Sequence, residues 1–189
     1  MRILVVTNLY PSQELGGYGR CISDFVNSLL LRNHFVQVLC SDAPYLSKTI
    51  NSNNEVGPSG EPVSRTLILK GTYQGGVHLI TDSNAIASIN SSNLTEVDRW
   101  MHSSWDGIFV GNIDLLGVEL IQHLLQFNIP VLHHLGFVDP PFNPSDLPTS
   151  SNYILATPSL FVRDSLLNLS FPVHNCPVIY PGVRLDFFN

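Results

Sequence analysis

Short apolar runs alternate with stretches of helical apolar spacing along most of the chain, and this alternation restricts the fold more than any single motif. Ile3-Leu4-Val5-Val6 is followed by Cys21, Ile22, Phe25, Val26, Leu29 and Leu30, which fall on one face of a helix, and then by the run Phe35 to Cys40. A buried strand, an amphipathic helix and a second buried strand make a βαβ unit, because parallel strands need a crossover and the crossover helix must bury its apolar stripe. Further on, Thr66 to Leu69 predicts a short strand, and helical pieces follow Asp82 (Ala85, Ile86, Ile89) and surround Val97, Trp100 and Met101. Ile108-Phe109-Val110 reads as another buried strand. Asp114 stands where it would cap a helix carrying Leu116, Leu120, Leu124 and Phe127, which must stop before Pro130. Strands are expected at Val131-Leu132, Tyr153 to Ala156 and Val178-Ile179, and Ser159 would cap a helix with Phe161, Val162, Leu166 and Leu167. The polar stretch Ser47 to Ser64 reads as a long loop.

The expectation is therefore an α/β chain whose residues 1–189 form one domain around a single doubly wound, mostly parallel sheet of about six or seven strands. In such sheets ligands bind outside the carboxyl ends of the strands, so the residues just after each strand carry the functional information.

Composition narrows the partners. A net charge of −6 without any run of Lys or Arg argues against nucleic acid. Cys21, Cys40 and Cys176 are odd in number and lie in apolar patterns, which fits buried free thiols in a reducing, cytoplasmic compartment. The apolar run at the N-terminus is too short for a signal peptide or a membrane span, and the sequons at Asn90, Asn93 and Asn168 are read as chance in an Asn/Ser-rich chain. The chain also lacks a basic amphipathic helix of the kind that seats a protein on a membrane surface, although membrane contact by a longer protein stays open. Charged residues make up only 13%, about half the usual share. Two explanations fit: part of the surface is covered by a partner domain, or uncharged Ser, Asn and Thr take the place of charges.

The loop after the first strand runs from Asn8 to Arg20 and ends in Gly16-Gly17-Tyr18-Gly19. Glycines before a helix let the backbone approach a phosphate, and the helix N-terminus attracts the anion. The dinucleotide fingerprint would need glycine where Ile22 stands, and a P-loop would need Gly-Lys-Ser/Thr. On the motif alone, a phosphate-binding loop and a flexible lead-in to the helix are equally good readings. Asp42 stands where a ribose-binding acid would be, but Ser41-Asp42-Ala43-Pro44 reads equally well as a turn.

Taken in order, these segments resemble glycosyltransferase family 4, whose members are retaining enzymes of the two-domain GT-B type. The resemblance is carried by the strand, the Pro-containing loop and Gly16-Gly17-Tyr18-Gly19; by Asp106 to Asn112; by Asn128-Ile129-Pro130-Val131; by Ala156-Thr157-Pro158-Ser159; and by Val178 to Phe188, similar to the stretch that leads into the family's second domain. It implies a Rossmann-like N-terminal, acceptor-side half of a GT-B fold, with the donor-binding C-terminal domain absent from the chain. It also implies a nucleotide-sugar donor, an acceptor that is a small molecule, glycan or lipid, and no metal or other cofactor. Gly16, Gly17 and Gly19 would then set backbone amides against the donor diphosphate, with Arg20 either adding positive charge or lying solvated. The family's acidic Glu-x7-Glu motif belongs to the other domain, so the isolated half is expected to be inactive. The alternative is a stand-alone module that binds a phosphorylated metabolite or nucleotide.

After the fifth strand comes His133-His134-Leu135-Gly136-Phe137-Val138-Asp139. The resemblance implies a histidine near the donor sugar just beyond the strand-opening proline. Strict counting from Pro130 brings that position to Gly136, and His134 takes it if the strand is bulged. Adjacent side chains on a strand point to opposite faces, so His133 and His134 cannot easily share a metal ion. Tyr18 and Phe137 are candidate cleft walls, and Asn112, His133, Asp139 and Ser159 are further candidates for the cleft and the acceptor. For each of these a structural role (core packing for the aromatics, capping for Asp139) is the competing reading.

Overall fold

A computed structural model describes residues 1–13, 17–43, 54–73 and 76–182. Its main sheet has seven strands: β1 (Arg2–Val6), β2 (Phe35–Ser41), β3 (Asn54–Val56), β4 (Pro62–Leu67), β7 (Gly107–Val110), β8 (Val131–His134) and β9 (Tyr153–Ala156). Their order is β3-β4-β2-β1-β7-β8-β9. All pairings are parallel except that of β3 with β4. A separate antiparallel pair, β5 (Gly71–Thr72) with β6 (His78–Leu79), stands beside it. Four helices complete the fold: α1 (Gly17–Leu31), α2 (Ser83–Met101), α3 (Glu119–Leu125) and α4 (Leu160–Asn168).

The pleat sends successive residues of β1 into two different cores. Leu4 and Val6 join Val97 of α2, Leu120 and Leu124 of α3 and Leu166 of α4 on one face. Ile3 and Val5 meet Ile22 and Val26 of α1 on the other, together with Val36, Val38 and Phe109. Each such fully buried side chain contributes about 1.5–3 kcal/mol relative to exposure. The βαβ unit expected from the periodicity is present, and α1 ends at Leu31, two residues before Asn33, whose φ of 60° is a left-handed conformation that asparagine tolerates.

Among the described residues, three helices cover one face of the sheet and only α1 covers the other. Beyond α1, Phe109, Leu132 and Ile154 stand in register on neighbouring strands. Their row lines an open apolar trough of about 650 Å³, shared with Phe25, Leu29 and Tyr180. Ile154 is 47% exposed.

Several sequence expectations need correction. The polar stretch Ser47 to Ser64 is not all loop: of its described part, Asn54–Val56 and Pro62 onward pair as β3 and β4. The strand expected at Thr66 to Leu69 is β4, which ends at Leu67. The two helical pieces after Asp82 are a single helix, capped by Asp82 accepting from the Asn84 amide at 3.0 Å. Asp114 does not cap α3. The backbone turns at Ile113 to Gly117, where Gly117 has φ 88°, and α3 begins only at Glu119. At Val178 there is an isolated bridge to Thr157 and not a full strand. Ser159 does cap α4, accepting from the Val162 amide at 3.1 Å.

Candidate functional site

The chain direction across the sheet reverses between β1 and β7, which lie side by side. Their carboxyl ends therefore flank the position where a doubly wound sheet leaves a crevice. Asn112, half-buried just past β7, ties the two ends together. Its carbonyl accepts from the Asn8 amide at 2.6 Å and from Thr7 Oγ1 at 3.4 Å. Its side-chain oxygen accepts from the Asp114 amide at 3.3 Å.

The N-terminus of α1 opens on the same edge. Gly17 is its exposed first residue, Gly19 is buried within it and Arg20 is exposed. Gly16 lies outside the described residues. Tyr18 turns onto the end of β8. Its ring stacks on His134, with centroids 5.9 Å apart, and on Phe137 at 6.1 Å. Its hydroxyl sits 2.8 Å from His134 Nδ1 and contacts the His134 carbonyl oxygen. Gly136 makes this stacking possible: a Cβ there would run into the Tyr18 ring. Tyr18, His134, Gly136 and Phe137 are thus brought together.

His134 is fully buried, and both ring nitrogens are engaged. Nε2 lies 3.1 Å from the Ile179 carbonyl oxygen, which only accepts, so Nε2 carries the proton and Nδ1 is left to accept from Tyr18. Burial holds the imidazole below its ordinary pKa, against the opposing pull of the Ile179 carbonyl. The Tyr18 phenol is pushed well up by burial first, then by the charges of Cys21 and Asp114.

His133 points the other way, as the pleat requires. It lies in the helix-covered core beside Phe142, with Nδ1 2.8 Å from the Tyr153 hydroxyl and Nε2 without a partner. Burial, then the charge of His134, pushes it down to about 3. The structure does not bring His133 to the crevice. Ser159 is occupied in capping α4, and Asp139 is exposed on the loop after β8. Among the described residues, no three His, Cys, Asp or Glu are grouped as metal ligands, and no helix is long and apolar enough to cross a membrane.

The buried histidines predict a pH dependence. Both have folded pKa values below the unfolded value of about 6.5, so between those limits the unfolded chain binds more protons. Stability is full above about 6.5 and is lost as pH falls through the folded values, by at most about 1.4 kcal/mol per pH unit for each histidine. Asp114, whose folded pKa is raised, opposes this slope in the carboxylate range. Urea midpoints should drop between pH 7 and pH 5, and His133→Phe should reduce the drop. An unchanged midpoint would contradict the assignment of neutral buried rings.

Two groups went unread in the sequence as parts of a site. One is a brace behind the first loop. Arg65 of β4 is fully buried and donates to the carbonyls of Tyr10 and Pro11, both at 3.0 Å, and to Gln13 Oε1 at 3.0 Å, while pairing with Glu55. Gln13 in turn donates to Ser41 and Ala43. The other is Asn8, Tyr73 and Asp114, joined at the β1–β7 end: Tyr73 donates to Asp114 Oδ1 at 2.8 Å, and Asn8 Nδ2 donates to both. An arginine in the middle of a short strand, between Ser64 and Thr66, was the available signal for the first. Nothing local signals the second.

No protein-family model matches the chain, and no curated protein matches it in sequence.

Proposed function

We propose that the chain is the Rossmann-like, acceptor-side half of a retaining GT-B glycosyltransferase, which moves a sugar from a nucleotide-sugar to an acceptor hydroxyl. The observation that carries the reading is the convergence at one crevice of the strand-order reversal, the glycine-led N-terminus of α1 and the Tyr18–His134–Phe137 stack. Numbered among the parallel strands alone, the sheet order is 3-2-1-4-5-6, the order of nucleotide-binding doubly wound folds.

In this reading negative charge grows on the leaving diphosphate, and the α1 amides with Arg20 stabilise it. Tyr18 and His134 do not exchange protons with the substrate: both nitrogens of His134 are held by protein. They shape the wall on which the sugar rests. The donor domain lies outside these 189 residues, and catalysis at the cytoplasmic pool of nucleotide-sugars needs no metal.

The test has two arms. Calorimetry of UDP- and GDP-hexoses against the 189 residues should give affinities weaker than about 1 mM. The full-length gene product should release UDP or GDP from one of them, and Gly136→Ala should slow that release. Tight donor binding by the 189 residues alone, or no release from any sugar-nucleotide by the full-length product, overturns the reading.

A stand-alone module that binds a phosphorylated metabolite or nucleotide is the second reading. The chain builds alone a cavity of about 540 Å³ at the strand ends, but its carboxylates suit an uncharged ligand better than a phosphate.

A further inference from the structure

That cavity lies past the carboxyl ends of β4, β7 and β8, walled by Lys70, Ile80, Asp114, Gln122, Phe142 and Asp146. Its size falls within the roughly 300–1,000 Å³ of small-ligand sites.

Asp114 is its most constrained polar group. The hydrogen bonds that neighbouring residues give its side chain all fall on Oδ1: from Asn8 Nδ2, from the Tyr73 hydroxyl at 2.8 Å and from the Leu115 amide at 3.0 Å. Oδ2 receives none from the described residues. Asn8, fully buried and bonded to the same carboxyl, keeps its own Oδ1 without a donor. Asp114 lines the cavity and is only half-buried, so its Oδ2 is an acceptor open to a hydrogen-bond donor of a ligand, while Asn8 Oδ1 stays buried behind it, outside the cavity lining.

The lining also selects the ligand's charge. Lys70 is neutralised by Glu119 at 3.0 Å. Asp114 and Asp146 remain, so a phosphate or carboxylate would meet net negative charge. Phe142 and Ile80 supply apolar walls, which suit the C–H face of a saturated ring.

We propose that this cavity binds a neutral polyhydroxylated ring, a hexose or cyclitol, through a hydroxyl donated to Asp114 Oδ2, and that it rejects the phosphorylated form. The assignment of this ring as the acceptor rests on the transferase reading; the binding itself does not.

Backbone amide spectra of the chain, titrated with D-glucose, D-mannose, N-acetyl-D-glucosamine and myo-inositol, test the proposal. At least one should shift the amides of residues 114–122 and 142–146 saturably. D-glucose 6-phosphate should not. Asp114→Asn should weaken binding about tenfold, since the substituted amide nitrogen at the Oδ2 position no longer accepts. If that variant fails to fold, Gln122→Leu serves instead. Gln122 donates to the Asp146 carbonyl at 3.0 Å on the cavity wall, and its loss should weaken binding measurably. The proposal falls if none of the four sugars shifts these amides, if the folded variant binds unchanged, or if the phosphorylated sugar binds more tightly. Saturable polyol binding without any nucleotide release by the full-length product keeps the site and removes the transferase. Nucleotide release with no polyol effect does the reverse.

Discussion

Arg65→Met is expected to lower the unfolding free energy by about 3–5 kcal/mol, the usual cost of breaking a buried ion pair from one side. Arg65 is the largest fully buried side chain of the molecule's described part, and its partners lie on three separate segments: the first loop, Cys40 of β2 and Glu55 of β3. Its loss strands Glu55, whose carboxylate is mostly covered, and removes donors from the Tyr10 and Pro11 carbonyls. Methionine fills much of the same volume, so the loss measured is mainly electrostatic and hydrogen-bonding. The double variant Arg65→Met/Glu55→Leu should recover part of the loss, because no charge is then left uncompensated. Recovery should be incomplete, since the loop carbonyls still lack donors. Urea titrations of the two variants measure both terms. A cost below about 1 kcal/mol for the single variant would mean that Glu55 and the loop simply turn to water.

Gly136→Ala is the second large effect, with an expected cost of about 1–3 kcal/mol from overpacking. The added methyl would occupy space now held by the Tyr18 ring, so the ring must leave its stack on His134 and Phe137. At this chain length each kcal/mol lowers Tm by roughly 2–4 °C. Departure of Tyr18 also removes the hydroxyl that bonds His134 Nδ1. Tyr18→Ala in the Gly136→Ala background should cost little more, giving a coupling energy of about 0.5–3 kcal/mol between the two positions. Additive losses would show that the two side chains do not compete for one space.

Much of the scaffold was legible because it is encoded locally. β1, α1 and β2 follow from apolar spacing alone, and the opposite facing of His133 and His134 follows from the pleat. Helix α2 read as two pieces because it buries little: Asn93 and Val97 are its buried residues, so no continuous apolar stripe spans its length. The short strands β3, β5 and β6 are polar or exposed, and their pairing comes from partners that no periodicity announces.

The site was legible only where a strand end could be counted to. Tyr18, His134, Gly136 and Phe137 were all named from their places after β1 and β8. Asp114 reads as a local cap because Asp is one of the few residue types that signal a helix start before a leucine-spaced run. Its actual partners, Asn8 and Tyr73, lie 106 and 41 residues away in sequence. Arg65 reaches Tyr10 and Gln13 across a similar span, and the fold had to be built before either network could be seen.

The trough beside α1, where Ile154 is exposed and Leu132 half-buried, has a thermal consequence. Apolar surface that already meets water in the folded state adds nothing to the heat capacity change on unfolding. This chain should therefore fall toward the low end of the usual 12–15 cal/mol/K per residue, roughly, and its stability should vary with temperature along a flatter curve than its length suggests. Whatever molecule came to lie across that trough would steepen the curve, and cold as well as heat would then begin to limit the folded state.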